Sequence, residues 1–528
     1  MKKRNKIAVL TFLFAAALTF GVACGNNDKK TERAVLQTPA NLQINETVLT
    51  WDEVENANGY AIDINGNEKF TTVNSYELGE LIEPDNYSIR VKALGAEEYL
   101  SSEWSQVKEY IVESSEGQCL KYEPLGPNQY VVAGIGTVTT KEVVIPDTYN
   151  GQPVVEIKSY AFMDNTHITR VVLPHTVRSI GIFSFAGCKS LESVYLPDGL
   201  KSIQRAAFAD TGLKSIEIPD TCYNIPYDTF YNCLDLEYVK LSESMYDLPI
   251  RGFNNTPKLK SITIPASVEI ISLKAFFGSS IESIKIPKKV FSISESAFEN
   301  SVIKSIEFEE GSELTDIGKN AFKGCKNLTS IVLPAGVTTV GDGAFADCSN
   351  LTSVTFEENC QITNLGSECF TNTAIVEFTV PKTLQVLGPM AFSNVSTLET
   401  IRLEDESELK GFFLKVFYNC INLTKVDFGK ASGKFRNIAN SAFENCSKLE
   451  TIDIPKSTVR LGNRAFVGCT SMKSIIIPAS VGEMGNGVFA GWTKDKTIYV
   501  ENFLEAPTEW YDWFKDSDAT VVWGYESN

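Results

Sequence analysis

The sequence predicts a repeat solenoid with a parallel sheet, preceded by a small antiparallel β-sandwich. Three observations predict it. A Phe recurs fifteen times between Phe162 and Phe489, at intervals of roughly two dozen residues. In the cleanest copy, GDGAFADCSNLTSVTF from Gly341, the Phe is followed by a run of the form L-x-x-(I/V)-x-(hydrophobic). Ahead of the array, residues 34 to 113 show a different, alternating texture. Self-similarity at so regular a period is the mark of stacked coils, each burying its neighbour's apolar face.

At 528 residues the chain is too long for one globular domain, and its 43% hydrophobic content supports a large core. It holds 48 basic and 66 acidic residues, a formal charge of -18. Such a surface repels nucleic acid and anionic membranes, so neither is expected as a partner.

Residues 2 to 6 (KKRNK) are a positive segment, and residues 7 to 20 (IAVLTFLFAAALTF) a short apolar one. The apolar run is too short for a membrane span and is followed by small residues, so 1–23 reads as an export signal. Gly21-Val22-Ala23-Cys24-Gly25 resembles a bacterial lipobox, with Gly21 standing where Leu is usual. The resemblance implies a lipid anchor on Cys24, and hence a protein exported and exposed at the cell surface. The alternative is ordinary cleavage near Ala23, leaving Cys24 free. Residues 24–33 then form a polar tether.

In 34–113, VLTW (48–51), GYAIDI (59–64), SYEL (75–78) and YSIRVKAL (87–94) alternate between turn signals, an antiparallel pattern. Asn65-Gly66 predicts a two-residue hairpin, not a calcium loop, because Gly66 is at the wrong position for an EF-hand. Trp51, Tyr60, the Leu81–Tyr87 spacing and SEWS (102–105) resemble a fibronectin type III domain. Such domains are spacers or binding modules, so the resemblance decides no function.

Residues 114–142 read as a linker and amino-terminal cap, 143–496 as a solenoid of about fifteen repeats, and 497–528 as a carboxy-terminal cap. In LKSIEIP, Leu213, Ile216 and Ile218 point inward, Ser215 and Glu217 outward, and Pro219 ends the strand. A second apolar step follows, and the Phe then enters from the far side, predicting a column of stacked rings. Strand-ending Pro is missing after Leu241, Phe308, Phe356, Leu403 and Phe428, and the longest spacings, around Phe370, Phe417 and Phe443, predict bulged loops. The array resembles the BspA-type leucine-rich repeats of bacterial surface proteins. The resemblance implies a right-handed solenoid with its parallel sheet on the concave face, ~70 Å long at ~4.8 Å per strand.

Seven cysteines (188, 233, 325, 348, 420, 446 and 469) lie three residues after a repeat Phe. Register alone explains them as buried free thiols, since Thr211, Thr256 and Val395 occupy the same position elsewhere. Cys119, Cys222, Cys360 and Cys369 fall outside that register. The absence of C-x-x-C, HExxH and GxSxG, with only His167 and His175 present, predicts no metal, no cofactor and no enzyme.

Recognition is therefore assigned to the outward strand positions, most of which are Ser or Thr. Arg170, Val172, Tyr195, Tyr238 and Lys240 break that monotony near the start and form the candidate partner-binding patch. WYDWF (510–514) is expected to close the last coil, with an exposed sugar platform as the alternative. The expected function is a lipid-anchored, monomeric adhesion protein that binds a surface protein or glycan. The alternatives are a glycan-binding or carbohydrate-processing lipoprotein and a structural envelope component.

Overall fold

A computed structural model describes residues 33–526, apart from 46, 79–85, 96–98, 112–119, 431–432 and 511. The signal segment, Cys24, the tether up to residue 32, Leu81, the linker at 113–118 and Cys119 lie outside the described residues. The chain falls into two compact units, Met1–Val112 and Glu113–Asn528.

The first unit holds a three-stranded antiparallel sheet (Gln43–Asn45, Val48–Thr50, Ser75–Glu77) and a four-stranded one. The latter runs Asn67–Thr71, Gly59–Ile64, Asn86–Leu94, Lys108–Ile111. A short parallel pair, Ala34–Val35 with Tyr99–Leu100, completes it. The hairpin forms where predicted: Asn65 and Gly66 adopt φ of 49° and 86° between paired Ile64 and Asn67. Trp51 and Tyr60 are both 3% exposed and meet edge to face at 5.1 Å. The Tyr60 hydroxyl accepts the Val54 N–H at 2.9 Å, so the buried phenol is satisfied. In SEWS, Ser102 and Ser105 accept the Ala93 and Val91 N–H groups, each at 2.9 Å.

The second unit is a parallel β-solenoid of about 17 turns. Each coil has three sides. The first is a three- or four-residue strand, such as Ser330–Leu333, paired in parallel with Ser353–Phe356. The second is a two-residue strand, such as Thr339–Val340, paired with Asn364–Leu365. The third carries the Phe. Leu328, Ile331, Leu333, Val340, Phe345 and Cys348 from one coil are all within 3% of full burial.

The fifteen rings form one unbroken column, with consecutive centroids 5.0 to 5.9 Å apart. The backbone beside it alternates its donors. Asn320, Phe322 and Gly324 donate to Asp342, Ala344 and Ala346 of the next coil, each at 2.8 Å. Ala321, Lys323 and Cys325 donate three residues back within their own coil. That zigzag needs left-handed residues two before and two after the Phe. The latter position is always Asn, Asp or Gly, the residues that adopt this conformation at least cost. Where Asn recurs, side chains add a ladder: Asn445 Nδ2 donates to Asn419 Oδ1 at 2.8 Å, and Asn419 Nδ2 to Asn394 Oδ1 at 2.9 Å.

All ten described cysteines are free. Each of the seven in register sends its thiol to the carbonyl of a Phe one coil back, as Cys348 Sγ does to Phe322 at 3.1 Å. Cys369, outside that register, occupies the Ala place before Phe370, and Cys222 is also fully buried. Cys360 alone among the described cysteines is half-buried.

Both ends are covered. Lys121–Pro124 pairs antiparallel with Tyr130–Gly134, which opens the second-side ladder against Gln152–Ile157. At the far end Trp492 takes the cysteine position, donating Nε1 to the Phe466 carbonyl at 3.2 Å. Trp513 lies 6.1 Å from Phe489, and Trp510 and Trp513 are 3% and 6% exposed. The WYDWF tryptophans therefore close the last coil and offer no sugar platform. Lys496 is buried there, its ammonium donating to the Thr470 and Met472 carbonyls at 2.7 and 2.6 Å.

Candidate functional site

Strand register fixes what the outward positions can assemble. Arg170, Ser193, Ser215 and Tyr238 follow one another down one column of the first side. Val172 pairs with Tyr195, and Glu217 with Lys240, in the column beside it. The five predicted residues thus divide into two groups separated by the Ser215–Glu217 strand. Tyr195 and Tyr238 are 37% and 51% exposed. Lys240 is exposed and stands 3.7 Å from Glu217.

Two of the five are less available than the alternation predicts. Val172 is only 5% exposed, so it offers almost no contact surface, although it is Val171 and Leu173 on either side that join the hydrophobic core. Strand parity tells which way a side chain points and not what covers it. The Arg170 side chain is 13% exposed and lies 3.7 Å from Glu142.

The structure adds residues that a search of strand positions omits. Tyr223, Tyr227, Tyr231 and Tyr246 are 58%, 50%, 38% and 62% exposed. With Tyr238 they put five exposed tyrosines into the short stretch 223–246. Tyr238 is on the first side. Tyr223 and Tyr246 adjoin the second, beside the bridging residues Asn224 and Asp247. Tyr227 and Tyr231 sit on the Phe side, where their carbonyls accept from Ala206 and Asp210. The tyrosines therefore form a band around the coil. The signal is present in the sequence as local tyrosine density, but apart from Tyr238 it lies outside the strands.

Charged groups fix the band on the Phe side. Asp228 accepts from Arg251 Nη2 at 2.8 Å and lies 3.8 Å from Arg205. The Arg205 guanidinium covers the Phe183 ring at 5.8 Å, and that ring stacks on Tyr160 at 5.8 Å.

Both ladders are interrupted at the same place. The first-side sheet ends at Tyr238–Lys240, and the next strand on that side is Ser283–Ile286. On the second side, Asn224 and Asp247 make isolated bridges to their outer neighbours but, among the described residues, no bridge to each other. The Phe side continues unbroken, with Phe230 donating to Gly252 at 3.1 Å.

Among the described residues no group of His, Cys, Asp or Glu is placed to hold a metal ion. No helix among them is long and apolar enough to cross a membrane.

The model of the BspA type leucine-rich repeat region matches residues 155–282, 269–399 and 397–509. The chain belongs to the BspA-type leucine-rich repeat family. No curated protein matches it in sequence. Among solved structures, a leucine-rich repeat protein from Bacteroides ovatus is 25% identical, with a TM-score of 0.50. The match covers 78% of this chain and 99% of that one. A leucine-rich cell surface protein from Faecalibacterium prausnitzii is 20% identical over 78% of this chain and 94% of its own, with a TM-score of 0.37. A leucine-rich repeat protein from Eubacterium ventriosum is 20% identical over 72% and 92%, with a TM-score of 0.38. The BspA-type match accounts for the coils and the core. The tyrosine band belongs to positions the repeat leaves open.

Proposed function

We propose that this BspA-type protein is an exported, lipid-anchored adhesion protein that binds a macromolecule at the cell surface through its early coils. The tyrosine band at 223–246 carries the reading. Tyrosine offers a large, rigid, amphipathic contact at low cost in side-chain entropy, and interface cores are enriched in it. Tyr195, Tyr238, Lys240 and Arg170 extend the contact along the first side. The Gly21–Gly25 segment supplies the anchor at Cys24. The first unit serves as a fibronectin type III-like spacer, a reading supported by its three-plus-four strand arrangement and the buried Trp51–Tyr60 pair. The protein acts as a monomer and without catalysis.

A fragment of residues 34–528 screened against surface proteins and glycans tests the reading. The expected result is a ligand whose binding falls at least tenfold in a Tyr227→Ser, Tyr231→Ser, Tyr238→Ser triple variant. A ligand bound equally by that variant would sink the assignment. For the anchor, Cys24→Ala is expected to release the protein from membranes, and unchanged retention would refute it.

A further inference from the structure

The first side carries a concavity well away from the tyrosine band. It is a groove of about 780 Å³ whose floor is formed by Ser353–Phe356, Glu377–Val380, Thr400–Leu403 and Lys425–Asp427. Volumes of this size are typical of ligand sites.

The wall of the groove comes from a change in the repeat. After Phe356 and Leu403, Glu357 and Glu404 replace the strand-ending Pro. Both coils, from Phe345 to Phe370 and from Phe392 to Phe417, are longer than the coil from Phe322 to Phe345. Each Glu reaches back to the preceding coil. Glu357 Oε2 accepts the Ala335 N–H at 3.0 Å, and Glu404 Oε2 accepts the Lys382 N–H at 2.8 Å. That hydrogen bond holds the start of the longer loop against its neighbour, and left-handed Asn359 and Glu406 turn the extra residues.

Register sets the charges on the floor. Glu377, Thr400 and Lys425 form one column, and Thr379, Arg402 and Asp427 the next. Lys425 and Asp427 are 3.8 Å apart. Arg402, Glu377 and Glu358 are exposed and have no ion pair or side-chain hydrogen bond among the described residues. The Lys430 N–H and ammonium keep Asp405 below its usual carboxylate range, and Arg402 adds to that positive field. The Arg402 guanidinium donors and the Glu377 and Glu358 oxygens nevertheless remain without hydrogen bonds among the described residues.

We infer that this groove binds an extended peptide segment of mixed charge, with an acidic side chain on Arg402 and a basic one on Glu377 and Glu358. Arg402 and Glu377 lie on adjacent strands in adjacent columns, a separation of ~8 Å, which suits side chains two residues apart on an extended chain. Three strand gaps span ~14 Å, room for about four residues at ~3.3 Å each. A purely acidic polymer is disfavoured, because Glu357, Glu358, Glu377, Glu404 and Asp427 outnumber Lys382, Arg402 and Lys425. A neutral oligosaccharide lacks a ring to stack on, since Phe378 is 2% exposed and Phe356 is half-buried.

The test is a random library of short peptides presented to the full chain in detergent, with an oligosaccharide panel in parallel. The expected peptides carry Asp or Glu two residues from Lys or Arg. Arg402→Glu is expected to weaken them at least tenfold without lowering Tm, and Tyr238→Ser to leave them unchanged. Bound peptide is also expected to slow thiol labelling at Cys360, which lines the groove, as read by mass spectrometry. Equal binding by Arg402→Glu, no protection of Cys360, an empty selection, or retention of an oligosaccharide instead would each overturn the inference. Loss of the tyrosine-band ligand leaves this result untouched, so the two sites fail separately.

Discussion

Single residues hold the coils in three ways. The Phe rings fill the centre, so losing one leaves a cavity that two neighbours cannot close. Phe322→Ala is expected to cost about 3–5 kcal/mol, read from urea or thermal unfolding. The residue after next sets the backbone: Asn, Asp or Gly accepts a left-handed φ that a β-branched residue resists. The thiols act through burial. Desolvation raises Cys188 and Cys469 to about 12 from a reference of 9.0, and Cys222 and Cys233 to about 11. Cys446 is pushed up in the same way. A folded pKa above the unfolded one favours the native state fully below pH 9.0, and that contribution fades as pH climbs towards about 12. Unfolding free energy should therefore fall between pH 9 and 11, as measured by urea titration. Replacing Cys420, Cys446 and Cys469 with Thr should flatten that slope.

At the scale of the element, much of the fold is legible in the sequence and much of the surface is not. Strand parity, Pro219 and its equivalents, and the Phe spacing are local and repeated, so they can be read directly. Every coil longer than the common spacing lacks the strand-ending Pro, which the sequence also shows. What the longer loops enclose depends on a neighbour one whole coil away, and no local pattern encodes that. The groove at Arg402 escapes the sequence for this reason. Val172 alternates with the core residues Val171 and Leu173 as parity predicts, but parity is silent on burial, and Val172 is covered all the same. Tyr223, Tyr227, Tyr231 and Tyr246 escape because a reading of strands passes over turns, whereas Tyr238, on a strand, does not. The interrupted ladders carry a prediction of their own. Amides at 259–264 are expected to exchange with deuterium faster than those at Ser283–Ile286, which pair fully with Ser305–Phe308. Equal protection in both segments would show that the interruption is only geometric.

For the whole second unit, each coil touches only the ones beside it, so stability is a sum of neighbouring interfaces rather than one global core. The two caps are what such an array requires, since each covers apolar surface and ladder groups that stacking leaves open. Fifteen Phe and seven register cysteines build that array, and all of them are buried. The repeat therefore supplies length and rigidity, while the band at 223–246 and the groove at 353–427 use the positions and insertions it does not dictate.

The interruption between Lys240 and Ser283 has a mechanical meaning when the array is pulled from its two ends. At that seam two of three sides lack continuous hydrogen-bonded ladders, and the Phe side bears the load. Pulled from its ends, the solenoid should open there first and then peel coil by coil. Each coil would release ~80 Å of contour, from roughly two dozen residues at ~3.5 Å each. A force trace should show a regular sawtooth at that interval, the mark of an array that lengthens in equal steps instead of unfolding at once.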